Sequence, residues 1–260
     1  MNKPWTPDEL IVAMNVYSRL EFGQLHARHP LIVAVAERLG RTPGSLAMKL
    51  CNLASFDPQI TSTGRSGLSG ASRLDREIWD KFQSDWEHYS AESEARFNEL
   101  MTGQRGIAPE PEHPGAEDLL VREGPTEAET TVRRRLGQQF FRRVVLVSYG
   151  NRCCITGTPM PELLAASHIV SWAENAKERL NPRNGLCLAK TQDAAFDRHL
   201  ITLDEDYRLV LSRSLRDHFT SESVRQNFQP YEGKPITLPH RFAPDQTLLA
   251  RHREVFASVS

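Results

Sequence analysis

The stretch from Cys153 to Leu203, CCITGTPMPELLAASHIVSWAENAKERLNPRNGLCLAKTQDAAFDRHLITL, most limits what the chain can build. It opens on an apolar run of strand type, LLAASHIV, that carries one histidine, His168. Sixteen residues later Asn184-Gly185 marks a turn, and Leu186-Cys187-Leu188 reads as a second short strand. Asp193 and Asp197 follow, four apart on a short helical segment and therefore on one face. Strand, turn, strand and helix thus succeed one another with a histidine, an amide and two carboxylates aboard.

A lone histidine on an apolar strand is more often a satisfied core residue than a catalyst. Its sequel shifts the balance. A base, an orienting amide and carboxylates are the parts that metal-assisted phosphodiester cleavage needs, and paired carboxylate oxygens suit a hard divalent cation such as Mg²⁺ or Mn²⁺.

Composition narrows the class. At 260 residues the chain has room for one large domain or two small ones. No apolar run approaches the roughly 20 residues of a membrane span, and the opening MNKPWTPDEL lacks the apolar core of a secretory signal. The net charge of −1 does not announce a nucleic-acid partner, although a locally basic face would suffice for one. Four cysteines with no CxxC pair argue against a disulfide framework or a four-cysteine zinc site. Cys153-Cys154 reads as small buried residues beside a turn rather than as metal ligands. A reducing cytoplasm fits this usage.

Residues 1–53 predict three short helices. Thr6, Pro7 and Glu9 form a capping box ahead of Leu10, Ala13, Met14 and Tyr17 at helical spacing. Ile32, Val35, Ala36 and Leu39 mark a second helix closed by Gly40. Thr42 and Pro43 start a third, with Leu46, Ala47, Leu50 and Leu53 as its stripe. Together these make a helix-turn-helix arrangement that resembles a Myb/SANT-like module, in which the third helix enters the major groove. Lys49 and Asn52, with Arg41 near the helix start, are the base-reading candidates, while Trp5 reads as core. DNA contact is favoured over a structural or protein-binding role.

The Gly/Ser-rich segment 54–74 reads as a loop, or as a phosphate-tracking segment through Arg65 and Arg73. Residues 75–100 predict one helix packed by Ile78, Trp79, Phe82 and Trp86. Residues 101–125 read as an acidic, Pro/Gly-rich linker; seven acids face one arginine between 107 and 129. From Thr126 the sign reverses. A helix carries Arg133, Arg134, Arg135, Arg142 and Arg143, with Val132, Leu136, Phe140, Val144 and Val147 turned inward, an electrostatic footprint suited to phosphates. Downstream, Ile201–Leu203 and Tyr207–Leu211 predict a hairpin around Asp204-Glu205-Asp206, and a closing helix runs from Asp245. His218, His240 and His252 read as structural.

The string RCCITG…LLAASHIV…NPRNGLCL…DAAFDRHLITLD closely resembles HNH endonucleases of the restriction type, over roughly 126–255. The N-terminal WTPDEL…GRTPGSLAMKLCNLASFDP is similar to the region that accompanies this nuclease in a subset of such proteins. The resemblance implies an α+β chain: an N-terminal helical, helix-turn-helix-like domain (1–100), the linker (101–125) and a C-terminal ββα-metal HNH nuclease domain with a helical extension (126–260). It implies His168 as the general base and Asn184 as the residue that holds the strand pairing and orients the base. One Mg²⁺ or Mn²⁺ per active site would sit on Asp193, supplemented by Asp197. The implied partner is DNA, gripped by Arg133, Arg134, Arg142, Arg143, Lys49 and Arg65, with no membrane. Cutting both strands takes two active sites, which makes a homodimer plausible.

Three positions depart from the pattern. Many members carry a metal-binding Asp or His directly before the base, where this chain has Ser167, which offers a metal little. The third motif letter, commonly His, falls at Thr191-Gln192-Asp193, giving H-N-D, or H-N-Q if the register slips by one. His199 stands where glycine is frequent; it is either tolerated in a left-handed conformation or itself a ligand. The alternative to a nuclease is an attenuated DNA-binding protein whose finger only grips phosphates.

Overall fold

A computed structural model describes residues 3–62, 64, 70–103, 125–171 and 178–259, the side chains of 125–129 excepted. The linker expected at 101–125 and Arg65 lie almost wholly or wholly outside these. The chain divides into two compact units, Met1–Phe141 and Arg142–Ser260. Helices dominate and the sheets are small, as an α+β class requires.

In the first unit, α1 (Pro7–Arg19) and α3 (Pro43–Ala54) start where their caps predict, and α2 (Pro30–Arg38), capped by His29, lies between them. Thr6 accepts from the Glu9 N–H while the Glu9 carboxylate takes the Thr6 N–H, and Thr42 accepts from the Ser45 N–H. Gly40 ends α2 with a left-handed φ of 64°. After a four-residue α4 (Pro58–Thr61) come α5 (Arg73–Ser84) and α6 (Trp86–Thr102). The single helix expected over 75–100 is therefore two. Asp85 leaves helical geometry at φ −150° and ψ 77°, and its carboxylate accepts from the His88 N–H as the cap of α6. Asp competes for backbone donors and so favours a cap over a helix interior.

Polar side chains knit this unit from inside. Glu94 is fully buried and takes two bonds from the Arg19 guanidinium, both 2.9 Å, and one from Asn15 at 3.0 Å. Removing one partner of a buried pair strands the other charge. Glu94→Ala is expected to lower unfolding stability by about 3–5 kcal/mol in urea titration.

The third helix does not offer its predicted DNA-reading residues. Lys49 places its ammonium 2.8 Å from both oxygens of the fully buried Asp75. Asn52 also turns to Asp75, at 3.4 Å. Arg41 bonds Glu9 at 2.7 Å and lies 3.9 Å over the Trp5 ring, which is only half-buried. Burial raises the Glu9 carboxyl, but bonds from Arg41, the Thr6 N–H and Lys3 prevail and hold its pKa down at about 2. Leu46, Leu50 and Leu53 need the core, and with α1, α2 and α5 packed around that stripe the polar positions of α3 meet protein rather than solvent.

The second unit begins within the long helix α7 (Pro125–Ser148). Strands β1 (Leu164–His168) and β2 (Gly185–Ala189) pair antiparallel, with Leu164 opposite Ala189 and His168 opposite Gly185. Helix α8 (Lys190–Asp197) follows β2 without a loop and packs on both strands, with Ala195 and Phe196 buried. The expected hairpin is present as β3 (Ile201–Leu203) and β4 (Leu209–Leu211), its turn tied by Asp204, whose carboxylate takes the Asp206 and Arg208 N–H groups. Short helices α9 (Arg213–Asp217) and α10 (Glu222–Phe228) lead to the closing α11 (Gln246–Val259). No helix is long and apolar enough to cross a membrane among the described residues.

His252 of α11 is structural, as the sequence suggests. Its ring stacks on Phe196 at 3.8 Å, its Nε2–H donates to the Phe196 carbonyl, and its Nδ1 accepts from Thr202. Burial, with His199 and Arg253 nearby, lowers its pKa to about 4 against the opposing bond to Phe196. A depressed histidine stabilises the fold fully above its unfolded value of about 6.5 and loses that contribution as pH falls toward the folded value. Stability is expected to drop by roughly 2–3 kcal/mol between pH 7 and 4.5. Urea midpoints for wild type and His252→Gln check this, since the variant should show the shallower slope.

Candidate active site

The hairpin and α8 gather the site. His168 is the last residue of β1, half-buried, and its Nε2 lies 2.9 Å from the Arg179 carbonyl. A carbonyl only accepts, so Nε2 carries the proton and Nδ1 the lone pair in the neutral ring.

Asn184, 1% exposed, continues the strand pairing past its end. Its carbonyl oxygen accepts from the Val170 N–H at 2.9 Å, and its amide donates to the Val170 and Glu178 carbonyls at 3.1 and 3.2 Å. Its own main-chain oxygen accepts from the Ile169 N–H. The two residues after His168 are thus both tied to Asn184, which fixes where the imidazole leaves the strand. Asn184 rather than aspartate suits this job because it must accept and donate at once.

Ser167 and His168, adjacent on a strand, face opposite sides. Ser167 is 3% exposed and its hydroxyl has no well-formed hydrogen bond. It nevertheless lies close enough to the Asp193 carboxyl to favour that group's charged form. Burial raises the Asp193 pKa above the usual carboxylate range, and Ser167 and the Arg142 charge partly offset this.

The two registers considered for the third letter are separated by their neighbours. Gln192 is 1% exposed and donates to the Asn227 carbonyl at 3.0 Å, toward α10. Asp193 faces Ser167. Asp197, one turn later, is exposed. His199 adopts the left-handed conformation at φ 52°, and its ring packs 4.5 Å from His252. Among the described residues no three His, Cys, Asp or Glu side chains converge to hold a metal.

The basic helix divides by role. Arg133, Arg134 and Arg135 are exposed, while Arg142 and Arg143 are half-buried. Arg142 donates to the Leu164 carbonyl at 3.0 Å and the Pro161 carbonyl at 3.1 Å, a brace at the start of β1 rather than the open phosphate contact expected of it. Two contributions escape sequence reading. Arg179 acts through its main-chain oxygen, for which no side-chain signal exists. Ser167 carries a signal only as a departure.

Residues 153–204 match the family model of an HNH endonuclease. The match spans the hairpin, α8 and β3, so the stretch that holds His168, Asn184 and Asp193 is HNH-like in sequence as well as in its strand, strand and helix order. A search of curated proteins finds no match to the chain. Cys153, Cys154 and Cys187 lie within the HNH-like stretch as free thiols, all buried. Burial pushes the Cys187 thiol up to about 12 and Cys154 well above its ordinary value, which makes both inert packing residues.

Proposed function

We propose that the chain is a metal-dependent HNH endonuclease that hydrolyses DNA phosphodiester bonds, in restriction or antiphage defence. The observation that carries this reading is the constraint on His168: its tautomer is set by the Arg179 carbonyl and its position by Asn184. In the mechanism, His168 Nδ1 takes the proton of the attacking water, and the hydroxide oxygen adds to phosphorus as the bond to the 3′ oxygen breaks. The products carry a 5′ phosphate and a 3′ hydroxyl. Asn184 keeps the imidazole aimed throughout.

The donor set fits a hard cation, because the Asp193 carboxylate lies beside the buried Ser167 hydroxyl, two hard oxygens. Asp193 would hold Mg²⁺ or Mn²⁺, with Asp197 as a supplement. A bound cation supplies charge stabilisation at the scissile phosphate and the leaving oxygen. Arg142 braces β1 against α7, while exposed Arg133 and its neighbours supply phosphate contacts. The N-terminal helical unit docks on DNA or on a partner through surfaces other than Lys49.

Plasmid DNA, modified and unmodified, incubated with Mg²⁺ or Mn²⁺ tests the reading. Nicked or linear product that chelation abolishes is expected. DNA retarded in a gel but left intact under every condition would instead establish a protein that only grips phosphates.

A further inference from the structure

Arg183 sits at the site with a fixed backbone and an uncommitted side chain. Buried Pro182 precedes it, its N–H donates to the Asn181 side-chain oxygen at 3.0 Å, and its carbonyl accepts from the Asp245 N–H at 3.0 Å. The guanidinium is half-buried, yet among the described residues it makes no hydrogen bond or ion pair. Other half-buried arginines of this unit are engaged: Arg142 by the Pro161 and Leu164 carbonyls, Arg253 by the Leu203 carbonyl and Glu205. A guanidinium has five N–H donors and no acceptor, so partial withdrawal from water without an acceptor nearby is unfavourable until an anion arrives.

Its neighbours place it beside the proposed base. Residues 178–184 close around His168: the Arg179 carbonyl takes the imidazole Nε2–H, and the Glu178 carbonyl takes the Asn184 amide. Gly185 lies directly opposite His168 in the strand pairing and has no side chain to cover that flank of the ring. Asn184 spends its side chain on Val170 and Glu178. Arg183 therefore carries the first long side chain on the entering side of Gly185, two residues from the partner of the base.

Resting on the nuclease reading for its DNA, we propose that the Arg183 guanidinium holds the non-bridging oxygens of the phosphate under attack. The planar fork of a guanidinium matches two phosphate oxygens at once, which a lysine ammonium cannot do. Because its backbone is tied at both the N–H and the carbonyl, little of the chain has to be ordered when the phosphate binds. Negative charge grows on those oxygens as the hydroxide adds, so the contact is stronger in the transition state than in the bound substrate and raises the rate as well as the affinity. The exposed arginines of α7 follow the DNA backbone at large, whereas Arg183 acts at one phosphate.

Full-length His168→Ala protein, used so that DNA is held and not cut, carries the first measurement: anisotropy titrations of a labelled duplex over a series of salt concentrations. Adding Arg183→Gln is expected to make the slope of log affinity against log salt shallower by about 1, the share of a single phosphate contact. Arg183→Lys keeps the charge and should keep the slope. With His168 restored, single-turnover cleavage should fall roughly 10²–10³-fold for Arg183→Gln. It should fall about tenfold for Arg183→Lys, which loses the two-pronged contact. Arg216→Gln, whose guanidinium pairs with Glu232, should alter neither slope nor rate. Urea midpoints should stay at the parent value, and the lysine arm remains readable if the glutamine protein folds poorly. An Arg183→Gln protein with the parent's slope overturns the assignment, as does one whose slope falls while its cleavage rate does not. An equal loss of slope in Arg183→Lys would make the residue structural and overturn it too. A shallower slope in Arg183→Gln beside a wild type that cuts nothing would retain the phosphate contact and remove the nuclease reading. Cleavage by wild type with slope and rate independent of Arg183 would do the reverse.

Discussion

His168→Ala is expected to lower the rate of DNA cleavage by roughly 10²–10⁴-fold, the range a positioned general base contributes. The structural cost should be small by comparison. The ring is half-buried and its Nε2–H donates to the Arg179 carbonyl, a bond worth on the order of 1 kcal/mol to the fold. That disparity separates chemistry from architecture. Single-turnover cleavage, DNA affinity and urea unfolding, measured on one preparation, should show a collapse in the first with the other two nearly unchanged. Added imidazole should restore part of the lost rate to the alanine variant, because the missing group is a base and not a scaffold. Cleavage within tenfold of wild type would remove His168 from the reaction.

Asn184→Ala is expected to damage both. The side chain satisfies three main-chain groups, the Val170 N–H and the Val170 and Glu178 carbonyls, at a position 1% exposed. Alanine leaves them without partners at roughly 1–3 kcal/mol each, and partial relaxation toward water brings the total to about 3–5 kcal/mol. Cleavage should fall at least a hundredfold in protein that is still folded at low temperature, because the imidazole's exit from the strand is no longer fixed. Asn184→Asp is the informative partner. It keeps the acceptor for the Val170 N–H but sets a carboxylate against two carbonyl oxygens, so it should be little better than alanine. An Asn184→Asp protein of wild-type stability would show that the amide's donors carry no weight.

Much of this was legible from local chemistry. Thr6-Pro7-Glu9 and Thr42-Pro43 gave their helices away because caps are written in adjacent residues, and the Asp204 turn is legible for the same reason. His168 and Asn184 fall where the order of apolar runs and turn residues put them. What failed depended on partners distant in sequence. Lys49 looked like a DNA contact because its ion partner, Asp75, lies 26 residues away on another helix. Arg142 looked like part of a charged face because carbonyls at 161 and 164 carry no sequence signature. The helix expected over 75–100 hid a break because a lone Asp85 is a weak signal without its cap geometry. Ser167 looked inert because a residue type does not reveal that its hydroxyl is buried beside the Asp193 carboxyl.

The inward commitment of Lys49 and Arg41 has a thermodynamic reach beyond packing. A cation already neutralised by Asp75 or Glu9 carries no claim on a polyanion, and no counterions leave a phosphate on its account. On the proposed nuclease reading, the steepness with which binding to DNA weakens in salt is therefore a census of the cations left over on the outside. The N-terminal helices, despite their charge, enter that census with fewer members than their sequence suggests.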